Sequence, residues 1–276
     1  MPDLTSSEVD LPALDPTWWS WHSAHGGLLA AMMMRHARHL AGGMTPRSVH
    51  ASFLAPVRTA PLRLSTEVQQ RNLSSAVTRS TLYHDGHPAA SAISLFAEGG
   101  AENGLLYRRP RMPEVPDVAD CPEFDLLPDL IPVARHLSIR MASTTRPLAG
   151  GEEAQLTGWI RLKNLDLQPA EAVFVLLDSM PPALYGVLDR PVPVPSAEIS
   201  VRFTDQVAEG GLDDWALIQV RTEQAGFGWT LESGSLWTPD GTLLGVSLQT
   251  RRIMDPAVDL PGPDLHSAVP ELSPSA

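Results

Sequence analysis

The 276-residue sequence predicts an α+β protein made of two fused copies of one unit, each an antiparallel sheet wrapped round a buried apolar helix. Three observations predict it. An Asp-Gly turn between alternating runs occurs twice, at Asp85-Gly86 before Ala89 to Leu95 and at Asp240-Gly241 before Leu244 to Leu248. Asp-Gly suits a tight turn whose central residues have positive φ, which makes it the strongest short-range hairpin signal. Each hairpin is preceded by an apolar segment, Leu28 to Met34 with no polar face in one half and Ala170 to Met180, apolar through Val173 to Leu177 until Asp178, in the other. A helix apolar on every side has to be buried. Between helix and hairpin, each half also carries one short and one long strand. A sheet with one apolar face curls round such a helix, because strands twist and that face needs cover.

Residues 1–17 read as a mobile leader, and Trp18, Trp19 and Trp21 after it are apolar area to anchor it on the first sheet or at a subunit contact. The first unit is expected over residues 18–97. His25-Gly26-Gly27 opens its helix, and strands follow at Val49 to Leu54, Leu62 to Gln70, Ala76 to His84 and Ala89 to Phe96. Residues 98–133 hold Pro110, Pro113, Pro116, Pro122 and Pro128, which suit neither helix nor central strand, so they read as a surface connector. The second unit is expected over residues 134–254. Its helix is apolar through Val173 to Leu177 until Asp178, and its strands are Glu198 to Phe203, Trp215 to Glu223, Thr230 to Thr238 and Thr242 to Ile253. Residues 255–276, rich in Pro and Ser, read as a disordered tail.

Composition narrows the function. A net charge of −12 argues against a nucleic-acid partner, which requires a basic face. The single Cys121 excludes an internal disulfide and a Cys-rich metal site. His36 and His39 share a helix but lack carboxylate or Cys partners, so no metal is expected. No apolar run is long enough to span a membrane and no signal peptide is visible, so a cytoplasmic location is expected.

At the level of motifs the chain resembles the acyl-CoA thioesterase II type, a double hotdog in which two hotdog units share one polypeptide. The resemblance runs from Trp19 to Met254. It is carried by His25-Gly26-Gly27, by Ser48 to Val57 with its Phe53-Leu54-Ala55-Pro56 ending, by Asp85 to Ala89 and by Ser94-Leu95-Phe96. In the second half it is carried by Leu177-Asp178-Ser179, Trp215 to Thr222, Gly234 to Gly241 and Ser247-Leu248-Gln249. The resemblance implies hydrolysis of fatty acyl-CoA in lipid metabolism, without a cofactor, by a water held by an Asp, a Ser or Thr, and a Gln of the second unit. Carried over by position, these are Asp178, Thr222 and Gln249. Around Thr222, Arg221 and Glu223 depart from the family wording, which leaves the register open by one residue.

That chemistry needs little. A thioester carbonyl is reactive enough for an oriented water, a proton acceptor and donors facing the oxyanion. Asp178 is the acceptor, while Thr222 and Gln249 hold the water without competing charge. The competing reading of Asp178 is a cap for the turn containing Ser179, Pro181 and Pro182. Substrate contacts are expected from His25, Gly26 and Gly27, where a helix start binds a carbonyl oxygen or anion. Met33 is a candidate lining for an acyl tunnel, although a Met run also suits plain core. Arg58 and Arg71 are candidates for the CoA phosphates, with Arg79, Arg251 and Arg252 behind them. The first half does not repeat the polar trio, which predicts one active site per chain. The alternatives are a non-catalytic acyl-CoA-binding or assembly module and a hotdog enoyl-CoA hydratase or dehydratase. Hydratases of this fold pair an Asp with a His five positions later, a spacing this sequence lacks. Further pairing into a homo-oligomer is also expected.

Overall fold

The computed structural model describes residues 5–99, 107, 110–126, 128–129, 131–163, 166–209, 212 and 214–254. In the first unit β1 (Ser6–Leu11), β2 (Trp19–Ser20) and β3 (Ser23–Ala24) precede α1 (Gly26–Leu40). Then come β4 (Thr45–Phe53), β5 (Leu62–Arg71), β6 (Ser75–His84) and β7 (His87–Ala97). The second unit has β8 (Leu137–Met141) and β9 (Gln155–Leu162), then α2 (Pro169–Leu177). It closes with β10 (Ser196–Phe203), β11 (Ala216–Gly226), β12 (Trp229–Trp237) and β13 (Leu243–Arg252).

Apart from the small β2–β3 hairpin, the strands join into one sheet of 11, ordered β1-β5-β6-β7-β4-β10-β13-β12-β11-β9-β8. Each unit supplies a contiguous half, and β4 and β10 zip the halves antiparallel with His50 opposite Ser200. The expected α+β double hotdog is the architecture found. Both helices pack on each other and on the strands. On α2, Ala172 to Leu177 are buried without interruption. Burial of Val173, Phe174, Leu176 and Leu177 contributes roughly 1.5–3 kcal/mol each. That apolar continuity makes this short helix a core element.

The hairpins form where the Asp-Gly pairs stand, by two different turns. Asp85 and Gly86 both have positive φ, 51° and 77°. In the second hairpin, Gly241 has the positive φ, 88°, and its N–H reaches the Thr238 carbonyl at 3.0 Å. Pro239 fixes a negative φ at the turn's second position, so the loop lengthens and a bulge follows between Leu236 and Trp237.

The mobile-leader expectation is corrected over Ser6–Leu11. This segment pairs along β5, with Ser6 opposite Glu67 and Leu11 opposite Leu62. Its alternation places Val9 and Leu11 on the core and covers a sheet edge that would otherwise be open. The structure also adds β8 and β9 before α2; β9 occupies beside β11 the place that β1 occupies beside β5. Much of the connector packs on the second unit: Phe124 N–H bonds the Ile139 carbonyl at 2.9 Å, and Trp159 Nε1 donates to Pro116 O at 3.0 Å. The expected tail, 255–276, lies outside the described residues. Among the described residues no helix is long and apolar enough to cross a membrane.

Candidate active site

Asp178 stands where α2 ends, as its C-cap at φ −102° and ψ 4°. Its carboxylate does not cap the next turn; it crosses to the first unit. Oδ2 accepts the Gly27 N–H at 2.7 Å, and Oδ1 accepts Gln249 Nε2 at 2.6 Å. The Ser196 hydroxyl lies 3.5 Å from the same Oδ1. The Asp178 side chain is 5% exposed and faces the N-terminus of α1, the positive end of that helix. His25 is the N-cap of α1: Nδ1 accepts the Leu28 N–H at 3.3 Å, which leaves the proton on Nε2 to donate to the Asp178 carbonyl at 3.2 Å.

The two glycines after His25 make this approach possible. A Cβ on Gly27 would stand 2.8 Å from His25 Cε1 and 3.0 Å from Asp178 Cβ, and one on Gly26 would stand 2.7 Å from Phe53 Cζ. Any side chain at either position displaces a neighbour.

Behind the carboxylate lies a buried polar network on β12 and β13. Arg251 donates through Nε to Glu232 at 3.0 Å, through Nη1 to Ser196 Oγ at 3.0 Å and through Nη2 to Gln249 Oε1 at 2.8 Å. The second Glu232 oxygen accepts the Ala183 N–H. A cavity of about 640 Å³ opens in front, with Asp178, Ser196 and Arg251 in its wall and Trp21, Phe53 and Pro193 around them. Gln249 stands behind that wall. Tyr185, also in the wall, donates to the Val192 carbonyl at 2.6 Å, and burial pushes its phenol up to about 12, so it remains neutral. Among the described residues no cluster could hold a metal ion.

The sheet register tests whether the first unit repeats this set. Around the His50–Ser200 pair, Gln249 lies opposite Ile199 as Ser94 lies opposite Val49. One strand out, Glu232 faces Gln249 as Thr78 faces Ser94. Ser196 faces Arg251 as Pro46 faces Phe96. The helix caps His25 and Gln168 correspond, which sets Arg35 in the place of Asp178. Arg35 crosses to the start of α2 and donates to Glu171 at 3.0 Å and to the Asp166 carbonyl at 3.0 Å. Where the second unit has acid, amide and hydroxyl, the first has Arg35, Ser94 and Pro46. The polar set occurs once among the described residues.

A family model of the acyl-CoA thioesterase C-terminal domain matches residues 111–253, and its N-terminal counterpart matches residues 15–97. The chain belongs to the acyl-CoA thioesterase family. No curated protein matched this thioesterase-family chain. Among solved structures it is similar to a hot dog fold protein of unknown function from Alicyclobacillus acidocaldarius, with 22% identity, TM-score 0.78 and coverage of 92% of this chain and 96% of that one. It is also similar to a tesB protein from Mycobacterium avium subs paratuberculosis, with 20% identity, TM-score 0.71 and coverage of 92% and 96%. An acyl-CoA thioesterase II, TesB2, from Mycobacterium marinum shares 18% identity, with TM-score 0.65 and coverage of 85% and 92%. At these identities the likeness speaks for the fold.

In this thioesterase-family chain the structure brings Asp178, Gln249, His25, Gly26 and Gly27 together. It does not bring Thr222 to them. Thr222 lies opposite Glu232, itself opposite Gln249, so two strand spacings, roughly 10 Å, separate it from the amide. Its Oγ1 is buried without a hydrogen-bond partner among the described residues. The hydroxyl beside Asp178 is that of Ser196, the first residue of β10, which the sequence reading passed over by starting that strand later. The available signal was topological, because the strand after α2 is the one that flanks β13. Met33 is fully buried in the core and does not line the cavity. Arg71 bonds the Leu40 carbonyl at 3.2 Å, clear of the cavity wall, whereas Arg58 and Arg252 line it. Arg251 is engaged in the ion pair with Glu232.

Proposed function

We propose that this protein hydrolyses acyl-CoA thioesters, with Asp178 as general base, Ser196 as the hydroxyl that holds the attacking water, and Gln249 as the residue that holds both. The carrying observation is that Asp178 and Ser196 meet near the start of α1 in the wall of a cavity, with Gln249 bonded to both from behind that wall. Gln249 has two amide protons, and Asp178 Oδ1 and Ser196 Oγ account for them. Its part is therefore to fix the two groups that face the substrate, which refines the sequence-based reading in which all three residues touch the water.

In this scheme a water between Ser196 and Asp178 gives its proton to the carboxylate as its oxygen attacks the thioester carbon. Gly26 opens α1 and lines the cavity. A helix start leaves its first N–H groups without intrahelical acceptors, so the Gly26 N–H is assigned to the developing oxyanion. Collapse of the tetrahedral intermediate breaks the C–S bond, and the proton held by Asp178 passes to the leaving thiolate. Arg58 and Arg252 are assigned to the CoA phosphates, and Leu126, Ile131 and Val133 to the acyl chain. The test is thiol release from a panel of acyl-CoAs by the purified protein. Asp178→Asn is expected to lower kcat about 10²–10⁴-fold, the usual contribution of a general base, while acyl-CoA still raises the Tm. No thiol release by the wild type at any chain length would overturn the reading.

A further inference from the structure

We infer that Arg251 and Glu232 form a positioning pair that sets the direction of each hydrogen bond running through Gln249 and Ser196 to Asp178. A guanidinium can only donate. Because Arg251 Nη2 lies 2.8 Å from one end of the Gln249 amide, that end is the carbonyl oxygen, and Nε2 is turned toward Asp178 at 2.6 Å. The flipped amide would set donor against donor at Arg251 and acceptor against acceptor at Asp178. The constraint continues to Ser196. Its oxygen receives Gln249 Nε2 and, at 3.0 Å, Arg251 Nη1, so both lone pairs are engaged. Its own proton is left to point at Asp178 Oδ1, 3.5 Å away, or at a water in the cavity. Glu232 holds the guanidinium in that pose through Nε.

Stability does not account for the pair. The Arg251 and Glu232 side chains are 8% and 3% exposed, and removing two charges from water at such a site offsets most of their attraction. The fold also shows that the place can be built without charge: the equivalent residues of the first unit are Phe96 and Thr78. Charge is present only in the half that holds Asp178. The kinetic consequence of the inference rests on the hydrolysis proposed above; its structural consequence does not.

The test uses Arg251→Met combined with Glu232→Gln, which removes both charges of the pair together. The double variant is expected to stay folded and to lose kcat about 10–100-fold, in line with the cost of misplacing a reacting group by up to 1 Å, with KM within about 2-fold. In a background carrying both Gln249→Leu and Ser196→Ala, with neither amide nor hydroxyl to orient, the same two changes are expected to cost no more than about 2-fold further. A purely structural pair would lower kcat equally in both backgrounds, and that result overturns the inference, as does wild-type kcat in the double variant. Should the double variant unfold, Arg251→Lys takes its place: it keeps a charge opposite Glu232 but lacks the fork, and wild-type kcat in it also overturns the inference. The Gln249 side-chain amide, observed by ¹⁵N–¹H NMR and identified by its loss in Gln249→Leu, gives a readout independent of turnover. Its two protons are expected to be distinct and slowly exchanging in the wild type, and to exchange faster or converge in the variant; unchanged signals count against the pair. If the wild type releases no thiol from any acyl-CoA, the proposed hydrolysis fails and the amide signals alone decide.

Discussion

Gly27→Ala separates the geometry of the site from the stability of the fold. The added methyl would stand 2.8 Å from His25 Cε1, 3.2 Å from His25 Nδ1 and 3.0 Å from Asp178 Cβ. Carbon atoms rest at about 3.5–4.0 Å, so His25 and Asp178 must retreat by about 0.5–1 Å. Neither is a loose side-chain end, since His25 caps α1 and holds the Asp178 carbonyl while Asp178 Cβ is tied to the backbone after α2. The retreat acts on the 2.7 Å bond from Gly27 N–H to Asp178 Oδ2 and moves the carboxylate off its aim. Overpacking costs about 1–3 kcal/mol. Replacing Gly by Ala within a helix returns about 1 kcal/mol. The net loss is therefore about 0–2 kcal/mol, a Tm drop of no more than about 8 °C for a chain of this size. A shift of this size at a reacting group costs up to about 100-fold in rate. Thiol-release kinetics and a thermal melt on the same preparation are expected to show a 10- to 100-fold lower kcat in a folded protein. Gly26→Ala, whose methyl meets the Phe53 ring, is expected to alter KM more than kcat. A folded Gly27→Ala protein with wild-type kcat would refute the claim that the start of α1 aims Asp178.

Three further outcomes follow from other parts of the molecule. Arg35→Met removes the partner of Glu171, whose side chain is 4% exposed, and with Arg35 itself half-exposed the cost is expected to be about 1–3 kcal/mol; kcat is expected to stay at wild type, because Arg35 sits at the other helix end. His136 stacks on Trp18 at 4.1 Å, and burial lowers its pKa from the ordinary 6.5. Above pH 6.5 both folded and unfolded forms are neutral, whereas below it the unfolded chain takes up the proton that the fold resists, so Tm falls on acidification from pH 6.5. His36, lowered in the same way, adds to that slope, and His136→Phe is expected to reduce the slope while keeping the stack. Burial pushes the Cys121 thiol up, so iodoacetamide is expected to label it slowly until denaturant exposes it, as a mass measurement over time would report.

Local chemistry alone was enough to read the helices and the hairpins, and the family resemblance added two members of the site, Asp178 and Gln249. A continuous apolar run ending in Asp178 has one stable placement, and Asp-Gly turns announce their hairpins wherever they stand. Gln249 was legible only through the resemblance, carried by Ser247-Leu248-Gln249 beyond the second such turn. Ser196 was not, because its relevance comes from facing Arg251 across β10 and β13, and a pairing between segments more than 50 residues apart leaves no trace in the local pattern of either. The resemblance put Thr222 in the place of the hydroxyl, yet strand order sets it two strands away. Arg251, a candidate for the CoA phosphates by sequence, is likewise placed by strand pairing, which sets its ion-pair partner Glu232 opposite Gln249 on the next strand. Composition and periodicity therefore determine which elements form and which faces they bury. The tertiary pairing alone decides which polar groups meet behind that buried face, because hydrogen bonds act over about 3 Å, a distance that only packing can bring about.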